Sequence, residues 1–131
     1  MVRRVATLTV AAAAVLVAGG CGGTKHYDLD ASRECLQGVD GIQVRALPPS
    51  DFIAKTALEG AMNVKFPANQ VTLSFSQDGK QADGIARAYR RFRGKGIGIE
   101  SALEEVANVV MVWGVTPKPA DKAVIHDCLK G

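Results

Sequence analysis

Three cysteines (Cys21, Cys35 and Cys128), two histidines (His26 and His126) and one dense basic cluster (Arg87, Arg90, Arg91, Arg93 and Lys95) carry most of the side-chain chemistry open to this 131-residue chain. Thiols and imidazoles can hold a metal or run a redox cycle, but only at spacings that bring them together. No Cys-x-x-Cys is present, and His126 stands two residues from Cys128, which puts the two side chains on different sides of a helix. No metal site and no cofactor is expected. Gly-x-Ser-x-Gly and His-Glu-x-x-His are both missing, and the clustered Glu100, Glu104 and Glu105 have no third group to make them an acid–base site. Asp78, Gly79 and Asp83 do not match a calcium-loop spacing. Gly94-x-Gly96-x-Gly98 follows a helical pattern, where a phosphate loop would follow a strand. The expectation is a protein that is not an enzyme. Two sets of residues remain as contact surfaces. Arg87, Arg90 and Arg91 suit an anionic ligand or acidic lipid headgroups, and Trp113 suits the lining of a small-ligand pocket. Each has a plainer alternative, a solvated helix face for the arginines and a core position for the tryptophan.

The elements that must position these residues begin after an unusual amino terminus. Arg3 and Arg4 are followed by an uncharged run of Ala, Val, Leu and Thr from Val5 to Val17, then by the small residues Ala18, Gly19 and Gly20. A charged start, an apolar middle and a small-residue exit describe a secretory signal peptide. The uncharged stretch to Gly20 is 16 residues, short of the about 20 that a helix needs to cross a bilayer. Val17-Ala18-Gly19-Gly20-Cys21 resembles the lipobox of bacterial lipoproteins, with Ala18 where that family most often has Leu. The resemblance implies cleavage between Gly20 and Cys21, a diacylglycerol on the Cys21 thiol and an acyl group on the new amino terminus. It covers the targeting segment and is silent on the rest of the chain, whose sequence resembles no characterised family.

On that reading residues 1–20 are a signal peptide, 21–28 are the lipidated cysteine and a short tether, and 29–131 form one domain. Removing the first twenty residues leaves 111 and lowers the formal charge from +3 to +1. A near-neutral chain with 5 % aromatic residues has no electrostatic footprint for nucleic acid. With Cys21 lipidated, Cys35 and Cys128 are an even pair in an exported protein and are expected to form a disulfide.

Within the domain, Asp30 reads as a helix cap before Ala31–Gln37, with Gly38 as the stop. Residues 42–46 alternate as a strand, and 51–59 read as a loop with one helical turn. Met62, Val64 and Phe66, then Val71, Leu73 and Phe75, form two alternating runs around Pro67-Ala68-Asn69, the pattern of a β-hairpin. Lys80–Arg93 reads as a helix with Ile85, Ala86, Tyr89 and Phe92 on one stripe. Ile97–Leu103 reads as a short strand and Val106–Val115 as a central one. Pro119 opens a last helix to Lys130, whose inner stripe is Ala120, Val124, Ile125 and Cys128.

The fold class this predicts is α+β: a small two-layer sandwich, an antiparallel sheet with helices packed on one face. The function it predicts is a lipid-anchored, extracytoplasmic binding or interaction module of the bacterial cell envelope, on the outer face of the cytoplasmic membrane or in another envelope membrane. An envelope protein is the expected partner. The alternative is a small-ligand-binding lipoprotein with its pocket between sheet and helices near Trp113.

Overall fold

The computed structural model describes residues 25–93 and 98–131. The signal peptide, Cys21, Lys95 and most of the glycine-rich connection lie outside the described residues. The chain opens with helix α1 (Leu29–Gln37), whose cap is Asp28 rather than Asp30: the Asp28 carboxylate accepts the Ala31 N–H at 2.8 Å, while Asp30 turns to Arg33. Strand β1 (Gln43–Arg45) and a single 3-10 turn (Ala54–Thr56) precede the hairpin of β2 (Ala61–Lys65) and β3 (Gln70–Phe75). Asp78 then caps α2 (Gly79–Phe92) by accepting the Gln81 N–H. Helical turn α3 (Ile99–Ala102) leads into β4 (Leu103–Val106), β5 (Val109–Trp113) and finally α4 (Pro119–Cys128).

The five strands form one antiparallel sheet in the order β1-β2-β3-β5-β4. Because side chains alternate across a strand, each strand divides its residues between two faces. Met62, Val64, Val71, Leu73, Phe75, Val109, Met111 and Trp113 meet Leu36 of α1 and Ile125 and Cys128 of α4. Leu103, Val110 and Val112 face the other way, under Ala82, Ile85, Ala86 and Tyr89 of α2. The α+β class with an antiparallel sheet therefore holds, but helices cover both faces, not one. The physical reason lies in β5: every residue of Val109–Trp113 is buried, so a single helical layer would have left Val110 and Val112 in water at a cost of about 1.5–3 kcal/mol each.

Two further boundaries differ from the sequence pattern. The segment after the glycines is a helical turn, and the strand starts only at Leu103. The apolar run Val106–Val115 is not one strand: Val106 ends β4, the chain turns at Ala107 and Asn108, with Ala107 at φ 53°, and β5 starts at Val109. A two-residue hairpin turn needs positive φ, so the chain reverses there although no glycine marks it. In α4, Ala120 is exposed, and Leu129 joins Ile125 and Cys128 in the core.

A disulfide joins Cys35 at the end of α1 to Cys128 at the end of α4, with Cα atoms 5.3 Å apart and the two cysteines 93 positions apart in sequence. Beside it the Lys130 N–H donates to Ser32 Oγ (3.0 Å) and the Asp28 N–H to the Lys130 carbonyl (2.6 Å). The first helix and the last segment are thus one unit on the sheet.

Candidate ligand cleft

On the face that α2 covers, the helix packs mainly on β4 and β5. The matching side of β2 and β3 is polar, with Asn63, Thr72 and Ser74 in place of the valines of β5. No helix settles there, because burying amides and hydroxyls under hydrocarbon without partners costs free energy. An open cleft of about 550 Å³ occupies that position. Asn63 and Thr72, directly opposite each other across the ladder, form its floor, and Asn63 Nδ2 donates to Thr72 Oγ1 over a long 3.4 Å. One wall is the loop from Pro48 to Ile53, and the other is the last turn of α2 with Tyr89, Phe92 and Arg93.

Asp51 joins the two walls. Its carboxylate accepts the Tyr89 hydroxyl at 3.0 Å to each oxygen and also the Ala54 N–H at 3.0 Å, which caps the 3-10 turn. Burial, then the charge of Asp51, raise the Tyr89 pKa well above the usual phenol value. Tyr89 therefore stays a neutral hydrogen-bond donor to Asp51. Phe52 and Phe92 stand at the mouth, 60 % and 62 % exposed, edge to face with centroids 5.8 Å apart. The Arg93 guanidinium lies 5.8 Å from the Tyr89 ring centroid. The cleft holds donors, acceptors and aromatic faces, and no histidine or cysteine lines it.

The residues singled out in the sequence fall elsewhere. Trp113 is 1 % exposed on the opposite face of the sheet, tilted against Phe66 with centroids 5.5 Å apart. It belongs to the core, so the sheet–helix space near Trp113 is filled with side chains, and the cleft lies across the sheet from it. Arg90 is held by Glu100 (2.8 Å) and Glu105 (3.6 Å). Arg91 lies over the ring of its neighbour Phe92, and Arg87 is exposed. Of these three arginines, Arg90 alone has a carboxylate partner among the described residues. His126 is 3.0 Å from Glu104 and His26 is 2.8 Å from Glu59, at separate places. Among the described residues no three metal-ligating side chains converge, and no helix is long and apolar enough to cross a membrane.

The other end of the sheet is where the chain enters the domain. Asn108, 2 % exposed, clamps the backbone of Tyr27: its Oδ1 accepts the Tyr27 N–H (2.7 Å), and its Nδ2 donates to the Tyr27 and Ser76 carbonyls (3.0 Å each). Ser76 follows the last residue of β3, whereas the cleft is lined by Gln70 and Thr72 near its first. Four to six residues of extended strand separate the two places, about 14–20 Å.

Sequence reading missed Asp51, Phe52, Asn63, Thr72 and Arg93 as a group. Asn63 and Thr72 looked like the water-facing side of a hairpin, and Phe92 looked like part of the inner stripe of α2. Comparison of the chain with protein-family models, with curated proteins and with solved structures finds no match.

Proposed function

We propose that this chain is a non-enzymatic binding module of the bacterial cell envelope, held on the extracytoplasmic side of a membrane by lipid on Cys21, which turns its cleft away from that membrane. The observation that carries the reading is the separation between the Tyr27–Asn108 clamp at one end of the sheet and the Asn63–Thr72 floor, about four strand residues further along β3. A tether of a few residues between Cys21 and the clamp reaches only about 12–14 Å. It keeps the clamped end next to the lipid and leaves the far end facing the space beyond. The concave, polar floor favours a small ligand. The exposed rings of Phe52 and Phe92 favour an envelope protein as a second occupant of the same mouth.

Two or three acyl chains on Cys21 are enough for stable anchoring, at about 0.8 kcal/mol per buried methylene. The arginine side of α2 is not needed for it. The intact mass of the chain extracted from its native membranes tests the anchor. The expected species starts at Cys21 and carries lipid, and Cys21→Ser leaves the membrane fraction. A chain that keeps residues 1–20, or one that stays on the membrane with an unmodified Cys21, contradicts the reading.

A further inference from the structure

We infer that the cleft takes an uncharged saccharide, with a pyranose ring against Phe52 and Phe92 and its hydroxyl groups on Asn63, Thr72 and Gln70. The inference rests on the reading of the cleft as the binding site, and four observations carry it.

First, the polar groups are of the kind that hydroxyls need. A sugar hydroxyl both donates and accepts, and a site for several of them needs both functions side by side. The amides of Asn63 and Gln70 and the hydroxyls of Ser50 and Thr72 supply both from a lining that also includes the Asp51 carboxylate. Among the described residues the 3.4 Å contact to Thr72 is the single side-chain hydrogen bond of the Asn63 amide. A side chain that is 4 % exposed thus keeps most of its hydrogen-bonding capacity for an occupant.

Second, the mouth carries two exposed phenyl rings on different elements, Phe52 on the loop and Phe92 on α2. An aromatic face is the negative end of a quadrupole. The axial C–H bonds of a pyranose are polarised the opposite way and present a flat apolar face to it. Rings left in water at a polar cleft are otherwise a cost.

Third, anionic ligands are disfavoured. The helix end at the cleft is the carboxyl end of α2, which bears partial negative charge. Asp51 adds a full one, and the one cation in the lining, Arg93, lies over the Tyr89 ring. Fourth, an acyl chain is disfavoured, because it would strip water from Asn63 and Thr72 and give nothing back. The volume, about 550 Å³, is within the range of small-molecule sites and suits one or two sugar rings.

The test is amide chemical-shift mapping on the full lipidated chain in detergent micelles. The probes are a panel of neutral mono- to tetrasaccharides, including N-acetylglucosamine oligomers, with dialanine, decanoate and inorganic phosphate alongside at the same millimolar concentrations. The expected result is saturable shifts at Asn63, Thr72 and Phe92 with at least one neutral saccharide. Phe52→Ala with Phe92→Ala is expected to weaken that binding about tenfold or more, while the disulfide and the far-end clamp signals stay unchanged. Both rings are exposed, so this variant keeps the fold. Cleft shifts with dialanine, decanoate or phosphate and none with the saccharides overturn the saccharide assignment and leave the binding module standing. Saccharide shifts that survive the double variant also overturn it. No cleft shift with any probe overturns both.

Discussion

The Tyr89 hydroxyl donates to both carboxylate oxygens of Asp51, at 3.0 Å each, and so ties the last turn of α2 to the loop that forms the opposite wall of the cleft. The two residues are 38 apart in sequence, and no other hydrogen bond among the described residues crosses between these walls. The width of the cleft therefore depends on this pair.

Tyr89→Phe is expected to lower stability by about 1.5–3 kcal/mol at neutral pH, the usual worth of a hydrogen bond to a charged group. Chemical denaturation measures it. The pH dependence follows from the raised Tyr89 pKa, which burial and the Asp51 charge both produce. An unfolded tyrosine loses its proton near pH 10, while the folded one keeps it. The stabilisation is thus complete below about pH 10 and is lost as pH rises above it. The gap between the native chain and Tyr89→Phe should narrow from pH 10 upward. A gap that stays constant to the alkaline limit would contradict the assignment.

Ala107 sits at φ 53° in the turn between β4 and β5. An L-residue with a Cβ is strained there and glycine is not. Ala107→Gly should therefore stabilise the chain by about 0.5–1 kcal/mol, against the usual direction of an alanine-to-glycine change in a strand or helix. A loss of stability in thermal unfolding would show that the turn does not hold this conformation in solution.

The Cys35–Cys128 bridge closes a loop of 93 residues. Chain entropy assigns about 4–5 kcal/mol to a loop of that length, against a total of about 5–15 kcal/mol for a domain of this size. Reduction, or replacement of both cysteines by alanine, should lower the denaturation midpoint by a large fraction and loosen α1 and α4 first. The α2 side of the sheet, which the bridge does not touch, should keep its amide protection longer. Equal loss of protection on both sides would count against that order.

Part of this was legible in the chain. The hairpin around Pro67-Ala68-Asn69 was clear from strict alternation on both arms, and α2 from its stripe of Ile85, Ala86 and Tyr89. The disulfide followed from an even pair once Cys21 was assigned to lipid. The side on which each helix packs was not legible, since Val110 and Val112 and their neighbours Val109 and Met111 form one unbroken apolar run that hides the alternation. The break at Ala107 was hidden for a related reason: alanine carries no turn signal, and only tertiary pairing forces it to positive φ. The cleft was the least legible feature. Its residues come from four stretches, Pro48–Ile53, β2, β3 and the end of α2, and each looks ordinary in its own stretch. Asn63 and Thr72 alternate as water-facing residues do, and only the short reach of α2 across the sheet makes them a floor.

We propose that the domain is lipid-anchored with its cleft pointing away from its own membrane. The most direct test is paramagnetic broadening of amide signals in the full chain, lipidated at Cys21 and carried in lipid nanodiscs that contain a headgroup spin label. The account predicts strong broadening at Lys25, Gln77 and Asn108 and little at Gln70, Thr72 and Phe92. Broadening of Arg87 to Arg93 as strong as that of Gln77 would lay α2 and the mouth of the cleft on the lipid, and would contradict it.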